Sequence, residues 1–522
     1  MGKQPKSLIK SALAMSLGTF SSRILGLVRD IVVSSQFSVT ITDAWFVAFK
    51  IPNLLRRVFG EGAFSASFIP QFVEARAAGE QENHRFYNAT LTMLCLILFS
   101  ICCLGIFFSE ELVLLLASGK GFTEIPGKIA ATIRYTRIMF FFLFFISVYA
   151  FFMAVLNTLK QFFWPAFVPV FFNISLIIFA LLPQSWLAYP ADLLSVAVVF
   201  GGFLQMAFLL PAIIRAGYLP KPSFDFRQSR VLRVFRNMLP GMVTIGILQF
   251  TTLINVRFAS EIANGANSWI YYADRLLELP LSLISVSLGT VLLPSLSEAF
   301  AAKEEEDFNA TMASALSFAL FLAIPSAGAL YFLSQPLIST IFFRGEFRYE
   351  DMQMTASVLQ VYAFSLLTYS VMKILNAAFY AVKKYWFPTA ISGFILFCHF
   401  FLVQELIPFY GVQALPLSTV ISSSIALVLL VVLYQWQIFC FPIFRLLKKI
   451  VIYVFCSALM VTSFAVHPLF RGLLPQGEIG NILALGLTVL IASLVYLGFS
   501  VLLRVDEAER FLQKILNKLK AS

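Results

Sequence analysis

Long apolar runs constrain the fold of this chain more than any other feature of its sequence. They recur from one end to the other, and clear examples lie at 91–108, 140–156, 316–333 and 482–503. A run of about 18–20 apolar residues is long enough to cross the hydrocarbon core of a bilayer. The runs also lack the strict apolar–polar alternation of outer-membrane barrel strands. Since 59% of the 522 residues are hydrophobic and only 12% are charged, we predict an all-α polytopic membrane protein.

Polar and Pro/Gly-rich breaks divide the chain into about fourteen predicted transmembrane helices. Their predicted bounds are 8–37, 41–77, 87–117, 129–158, 162–182, 191–215, 230–260, 267–300, 308–333, 352–382, 386–408, 412–438, 446–467 and 480–504. The second and eighth spans are long and each contains prolines, so we expect both to be bent or broken. The basic N-terminal stretch lacks a convincing cleavage site, and we interpret it as a retained first helix rather than a signal peptide.

Basic residues, which give the chain a net charge of +11, gather in the connections on one side of these spans. The most basic of these connections are the N-terminus, the segment 215–236 and the C-terminal stretch 504–520. By the positive-inside rule that side is cytoplasmic. We therefore predict that both termini are cytoplasmic, in agreement with an even number of spans. The rule accounts for the positive charge without a nucleic-acid partner.

An internal repeat divides the chain into two halves. The segment "IPQFVEARAAG" (69–79) matches "LPSLSEAFAAK" (293–303), and "LNTLKQFFWPA" (156–166) resembles "LNAAFYAVKKYWFPTA" (375–390). Six predicted spans separate the copies, so both halves have the same orientation, as in transporters whose lobes are related by a pseudo-twofold axis. We predict an N-lobe at 1–220 (spans 1–6) and a C-lobe at 221–440 (spans 7–12). Residues 441–522 add two extra C-terminal spans and an amphipathic helix.

Charged residues inside three of the predicted spans are the main functional signal. The first span contains "FSSRILGLVRD" (20–30), the second adds several charges between 43 and 61, and the eighth adds three between 274 and 278. Charged side chains inside a bilayer usually face a bundle interior or an aqueous cavity. Snorkelling or a structural ion pair would explain a single arginine about as well, but not several arginines in three spans. Guanidinium groups bind phosphate oxygens bidentately, so the pattern favours a cavity for a multiply charged anion such as pyrophosphate.

Three motifs carry a resemblance to a known family. The segments "FSSRILGLVRD", "TDAWFVAFKIPNLLRR" with the following "EGAFS", and "YYADRLLELP" with the following "GTVLLPSLS" resemble the MurJ (MviN) lipid II flippases. These belong to the multidrug/oligosaccharidyl-lipid/polysaccharide exporter superfamily, and the resemblance covers essentially the whole chain. It implies a multi-pass protein of the bacterial inner membrane that moves lipid II, an undecaprenyl-pyrophosphate-linked disaccharide-pentapeptide, to the periplasmic leaflet by alternating access. The two extra spans would form a groove for the prenyl tail.

The resemblance also implies roles for individual residues. The predicted pyrophosphate-binding residues are Arg23, Arg29, Arg56 and Arg275. The predicted gating or coupling acids are Asp43 and Glu278, and the other predicted cavity residues are Ser22 and Asp274. Lipid II and membrane lipid are the expected partners, and the functional unit is expected to be a monomer because one chain supplies both lobes.

The sequence predicts no cofactor and no metal site. The cysteines and histidines are scattered and lack the spacing of metal ligands. Some relatives hold a sodium ion through acidic side chains on the seventh, eleventh and twelfth spans. Here the seventh offers Gln249 and Asn255, and the eleventh has only Glu405 near its end. Transport would therefore be driven by the membrane potential or by another coupling ion.

Two other functional classes were weighed. An exporter of another lipid-linked oligosaccharide, or a drug or cation antiporter of the same superfamily, would share the fold. A cavity for cations should be acidic and aromatic, and the arginines argue against it. A membrane glycosyltransferase would need a catalytic base or metal-binding carboxylates beside a sizeable aqueous domain. The segments outside the spans are too short for such a domain, so we predict that the protein is not an enzyme.

Overall fold

The computed structural model describes residues 6–60, 63–186, 189–289, 292–439 and 443–520. The regular structure within these ranges is helical, which confirms the predicted all-α class. The described residues form two compact units. The first unit contains the residues up to Ser268 together with Arg344–Phe347, and the second contains Trp269–Phe343 and the residues from Arg348 onward.

Eleven helices lie in the first unit, and a twelfth begins there. They are α1 (Lys6–Gln36), α2 (Val39–Gly60), α3 (Ala63–Ala78), α4 (Glu80–Phe107), α5 (Ser109–Ala117), α6 (Lys120–Thr123), α7 (Lys128–Thr158), α8 (Phe163–Phe167), α9 (Pro169–Leu181), α10 (Asp192–Arg215) and α11 (Ser229–Ile262), followed by the start of α12 (Ala266–Gly289). The remaining helices are α13 (Leu292–Ala302), α14 (Glu305–Phe332), α15 (Ser334–Phe342), α16 (Tyr349–Ala363), α17 (Ser365–Ala381), α18 (Trp386–Tyr410), α19 (Ala414–Gln437), α20 (Ile443–Thr462), α21 (His467–Leu473), α22 (Glu478–Leu502) and α23 (Asp506–Lys520).

Each predicted span coincides with one of these helices or with consecutive shorter ones. Nine described stretches are long and apolar enough to cross a membrane, and one of them, Trp386–Gln437, covers two predicted spans. The four predicted spans outside these nine correspond to α1, α2 with α3, α11, and α12 with α13, and all four carry several charged residues. Fourteen crossings therefore remain a prediction. In the second and eighth spans the connections between α2 and α3 and between α12 and α13, at 61–62 and 290–291, lie outside the described residues, so the predicted breaks remain predictions.

The first unit is built around α7, which packs against α2, α4 and α10. Its core is aromatic, with ring centroids 4.9 Å apart for Phe68 and Phe151 and 5.3 Å apart for Phe64 and Phe68. Helix α1 packs against α8 and α9, which places its charged segment beside α9. Helix α11 packs against α3, α5 and α6. The packing unit therefore extends to Ser268, whereas the lobe boundary at 220 rests on the sequence repeat and remains a prediction.

The basic connector between α10 and α11 is fixed along α4. Its side-chain contacts with α4 are Asn83 Nδ2 to Tyr218 OH at 2.6 Å, Arg85 Nη2 to Asp225 Oδ2 at 2.6 Å, and Arg230 Nη1 to Glu82 Oε1 at 2.6 Å. Hydrogen bonds from Gln228 and Arg85 lower the pKa of the Asp225 carboxyl. The predicted lobe linker is therefore held by several polar contacts within the first unit.

The second unit is built around α14, which packs against α13, α16, α17 and α20. The two helices beyond the repeat, α20 and α22, pack against each other, and Tyr496 OH on α22 donates a hydrogen bond to the Phe321 carbonyl on α14 at 2.8 Å. Tyr453 of α20 and Ala508 of α23 belong to the same buried cluster. The extra helices and the start of α23 are thus part of the second unit's core.

The connection between α15 and α16 offers a test of local packing. Gly345 has a φ of +56°, and a Cβ added there would collide with the carbonyl oxygen of Ser35. Gly411 has a similar φ of +52°, but a Cβ there would meet nothing within 4 Å. We expect Gly345→Ala to destabilise the protein by roughly 1–3 kcal/mol more than Gly411→Ala, because only the first adds a clash to the backbone strain. Melting temperatures of the two variants in detergent measure the difference, and equal values would contradict this account of the turn.

Candidate functional site

Arg29 on α1 is held in a defined orientation. Its Nε and Nη2 donate to the same oxygen of the neighbouring Asp30, Oδ1, at 2.9 and 2.6 Å. Its Nη1 donates to Asn173 Oδ1 on α9 at 3.2 Å. The Arg29 and Asp30 side chains are only 12% and 3% exposed. The geometry is therefore that of a mostly buried guanidinium oriented by one charged and one neutral acceptor.

Asn173 connects this arginine to a second predicted site residue. Its Nδ2 donates to the Ser22 carbonyl oxygen at 3.1 Å and lies 3.4 Å from Ser22 Oγ. Ser22 and Arg29 are seven residues apart, and both reach the same side chain because that spacing places them on one face of a helix. Asn173 therefore forms hydrogen bonds between helices, to Arg29 and Ser22 of α1. They are among the polar contacts between α1 and α9.

Two substitutions at Asn173 distinguish its contact with Arg29 from its contact with Ser22. We expect Asn173→Ala to reduce activity and to cost about 1–2 kcal/mol of stability, because it removes the acceptor of Arg29 and a donor to Ser22. Asn173→Asp keeps an oxygen facing Arg29 and loses the donor. If orientation of Arg29 matters, Asn173→Asp should retain more activity than Asn173→Ala at similar membrane levels. Growth of a bacterium that depends on this chain measures activity, and equal loss in both variants would show that the Arg29 contact is not needed.

Asp43 lies in a separate, fully buried cluster of the first unit. Lys128 Nζ donates to Asp43 Oδ2 at 2.6 Å, and the two side chains are 1% and 0% exposed. The same nitrogen donates to the Gly121 carbonyl and to Asn264 Oδ1, both at 2.8 Å, and lies 3.8 Å from the centre of the Phe122 ring. The ammonium group therefore has three oxygen acceptors and an aromatic face around it.

The other oxygen of Asp43 is bound by the start of α12. The backbone N–H of Ser268 donates to Asp43 Oδ1 at 3.1 Å, and the Ser268 hydroxyl lies 2.9 Å from the Thr42 hydroxyl. Asn264 Nδ2 completes the cluster by donating to Thr40 Oγ1 at 2.7 Å. The cluster thus joins α2, α7 and the connection between α11 and α12 through one buried ion pair.

The other predicted site residues of the first unit are Arg56 and Arg23. Arg56 Nε donates to Asn53 Oδ1, one helical turn earlier, at 2.9 Å. Arg57 Nη1 donates to Gln249 Oε1 at 3.3 Å. Arg23 is half-buried and has no hydrogen bond or ion pair to another described residue. Arg23 and Arg29 therefore differ, since only Arg29 has its guanidinium oriented by α9.

In the second unit, Arg275 and Glu278 form the pair that their spacing predicts. Arg275 Nη1 lies 3.2 Å from Glu278 Oε2, and the side chains are 23% and 53% exposed. Asp274 is exposed on the same helix. An arginine paired with a partly exposed carboxylate can exchange that partner for a phosphate. In the described part of the chain, no group of three or more His, Cys, Asp or Glu side chains is placed to hold a metal ion.

Sequence reasoning missed Lys128, Asn264 and Ser268. Lys128 follows a glycine-rich stretch and precedes an apolar helix, a context that indicates only a basic residue in a connection. Its partners lie 85 and 136 residues away in sequence. A lysine directly before an apolar span was the only local signal.

Comparison with known proteins gives the family. The sequence model described as "Lipid II flippase MurJ" matches residues 32–474. The chain belongs to the lipid II flippase MurJ family. A probable lipid II flippase MurJ of Bdellovibrio bacteriovorus is 39% identical over 508 residues, which cover 97% of this chain and 96% of the relative. The lipid II flippase MurJ of Burkholderia cenocepacia is 35% identical over 430 residues, which cover 81% and 83%.

Solved structures agree with this membership. A lipid II flippase MurJ in an inward closed conformation is similar with a TM-score of 0.79 and 26% identity, covering 95% of this chain and 99% of that one. A multidrug resistance transporter of the MATE family is similar with a TM-score of 0.68 at 12% identity, covering 82% and 98%. The second likeness shows a shared fold alone. The predicted family, and the superfamily fold that goes with it, are confirmed.

Proposed function

We propose that this protein flips lipid II from the cytoplasmic to the periplasmic leaflet of the bacterial inner membrane, as a step in peptidoglycan synthesis. Membership of the MurJ family over nearly the whole chain is the observation that carries this proposal. The buried, oriented Arg29 supports it, because a charged group inside a membrane protein typically marks a substrate or ion pathway. The protein acts as a transporter and not as an enzyme.

In this mechanism the arginines bind the pyrophosphate. Arg29, Arg56 and Arg275 supply the guanidinium forks, and Arg23 and Ser22 add further polar contacts beside Arg29. A guanidinium in a site shielded from water binds a phosphate oxygen more strongly than one in bulk water, because the local dielectric is lower. Asp30 keeps the Arg29 guanidinium oriented before substrate arrives. The oriented arginine therefore loses little side-chain entropy when it binds.

The acidic side chains promote release of the pyrophosphate. Glu278 competes with the pyrophosphate for Arg275, because it already lies 3.2 Å from that guanidinium. Asp274, one residue before Arg275, adds negative charge that disfavours prolonged anion binding. Asp43 holds Lys128 in the buried cluster and serves as the gating acid, since breaking that pair is costly unless the whole cluster rearranges. Because of that cost, the buried cluster should have two discrete arrangements rather than open gradually.

Either the membrane potential or a coupling ion supplies the energy for transport. The negative charge of the substrate favours the membrane potential as the source. Moving negative charge from the cytoplasm to the periplasm is downhill in an inside-negative membrane, by roughly 2.3 kcal/mol per elementary charge for each 100 mV. A pyrophosphate diester carries two negative charges. We further propose that a single chain suffices, with both termini cytoplasmic and the prenyl tail held by the helices beyond the repeat.

Complementation tests the function directly. The chain is expressed in a bacterium whose own lipid II flippase can be shut off, and growth and cell shape are followed after depletion. We expect growth to continue and lipid II to become accessible from the periplasmic side. A chain that reaches the membrane in folded form, yet leaves lipid II on the cytoplasmic side and permits lysis, would refute the proposal.

A further inference from the structure

A polar cavity lies in the second unit, where α14, α20 and α23 begin. Its volume is about 640 Å³, within the roughly 300–1,000 Å³ typical of small-molecule sites. The lining includes three basic residues, Arg445, Lys449 and Arg510, together with two acids, Glu306 and Glu507. None of these residues is used by the transport mechanism above.

The position of α23 beside this cavity is fixed by a cluster of charges. Lys449 Nζ on α20 donates to Asp506 Oδ2 at 3.0 Å and to Glu507 Oε1 at 2.9 Å. The other Glu507 oxygen accepts a hydrogen bond from Tyr453 OH at 2.8 Å, and the Glu507 side chain is only 8% exposed. Ala508, in the next position, is buried in the core of the unit. The cavity is therefore a built feature between packed helices rather than a gap beside a loose terminal helix.

The charge balance of the lining favours an anion. The lining has three basic residues against two acids, and the Glu507 carboxylate is held by Lys449, which also pairs with Asp506, and by a hydrogen bond from Tyr453. Arg445 and Arg510 are exposed and have no hydrogen bond or ion pair to any described residue. Glu306 is the other acid of the lining, against two guanidinium groups. A phosphate group held by two guanidiniums would therefore add the charge-assisted hydrogen bonds that these arginines lack here.

The neutral part of the lining matches a lipid headgroup better than inorganic phosphate. Asn309, Ser314 and Ser317 offer amide and hydroxyl groups along α14, and Ala310, Ala313 and Leu446 form an apolar wall. In the predicted topology the connections rich in basic residues are cytoplasmic. The starts of α14, α20 and α23 therefore lie at the cytoplasmic face. Basic pockets between transmembrane helices on that face bind the headgroups of anionic lipids.

We propose that this cavity binds the phosphate of an anionic phospholipid headgroup through Arg445 and Arg510. The ligand chemistry is a phosphate ester, and the lipid bridges α20 and α23 at the membrane surface. The first turns of α14 contribute Glu306 and Asn309 to the lining. The site is independent of the pyrophosphate-binding arginines and of the proposed transport.

Lipid binding to the purified full-length chain tests the proposal. Phosphatidylglycerol and phosphatidylcholine are titrated in native mass spectrometry against the wild type, R445Q/R510Q and a matched control, K448Q/R504Q. The control removes two exposed positive charges from the same region, outside the lining. We expect R445Q/R510Q to bind phosphatidylglycerol roughly tenfold or more weakly, and the control to change less than about twofold. Equal weakening in both variants, or in neither, would overturn the site.

Two further arms complete the test. Inorganic phosphate and glycerol 3-phosphate are titrated alone. Weak binding of both supports a lipid as the source of the phosphate ester, and binding as tight as that of phosphatidylglycerol would overturn the lipid assignment. If R445Q/R510Q melts lower than the wild type, A313W replaces it, since it fills the cavity without changing charge. Undiminished phosphatidylglycerol binding by A313W would overturn the proposal.

Discussion

We expect Arg29→Ala to abolish rescue of a flippase-depleted bacterium while the protein remains folded in the membrane. Arg29 is oriented by both a carboxylate and a side chain of another helix, Asp30 and Asn173. Loss of two or three charge-assisted hydrogen bonds to pyrophosphate would cost several kcal/mol, or more than a hundredfold in the rate of transport at limiting substrate. We expect Arg56→Ala and Arg275→Ala to have effects of the same kind. Growth after depletion, with membrane protein measured by immunoblot, gives the result.

The neighbouring arginine provides the matched control. Arg57 follows Arg56 directly but is exposed and contacts Gln249. Arg57→Ala removes the same charge from the same helix and should still support growth. If Arg57→Ala fails as completely as Arg56→Ala, the requirement is for net positive charge rather than for specific phosphate ligands.

Breaking the buried pair between Asp43 and Lys128 should cause the largest loss of stability. Lys128→Met leaves the Asp43 carboxylate with no exposure and without its counter-charge, which costs about 3–5 kcal/mol. The melting temperature in detergent should fall by several degrees or more, and transport should fail. The double variant Asp43→Asn/Lys128→Met removes both charges, and should recover part of the stability because no unpaired ion stays buried.

A more exposed ion pair of the same unit is the control for this test. Arg85 and Asp225 lie 2.6 Å apart with side chains 59% and 36% exposed. Arg85→Gln should change stability by less than about 1 kcal/mol, since exposed pairs contribute little. A double variant at Asp43 and Lys128 that is stable but inactive would separate a gating role from a structural one. Full activity in that variant would contradict the assignment of Asp43 as a gating acid.

The sequence predicted most helices because their signal is local. The fourth and sixth spans were predicted at 129–158 and 191–215, and α7 and α10 occupy Lys128–Thr158 and Asp192–Arg215. Length and apolar composition are sufficient for such helices. The predicted spans merge α5 with α4 and α8 with α9, and α6, α15 and α21 fall almost entirely in predicted connections, because pieces of four to nine residues leave no periodic pattern of their own.

The candidate site was only partly predictable for the same reason. Arg275 and Glu278 are three residues apart on a helix, so their pairing could be anticipated, whereas adjacent residues such as Arg29 and Asp30 do not normally face each other. The contact of Arg29 with Asn173 spans 144 residues and depends on α1 packing against α9. Repeat analysis likewise assigned α11 to the second lobe, whereas its contacts place it in the first packing unit. Such long-range contacts have no signature in local spacing.

Lipid II binding tests the central claim most directly. Native mass spectrometry compares the purified wild type with the Arg29→Ala/Arg56→Ala/Arg275→Ala variant, with undecaprenyl phosphate as the competitor that lacks the second phosphate and the sugars. We predict that the wild type prefers lipid II and that the triple variant loses this preference while still binding the prenyl tail. Equal preference for lipid II in both proteins would contradict the assignment of these arginines as the pyrophosphate site.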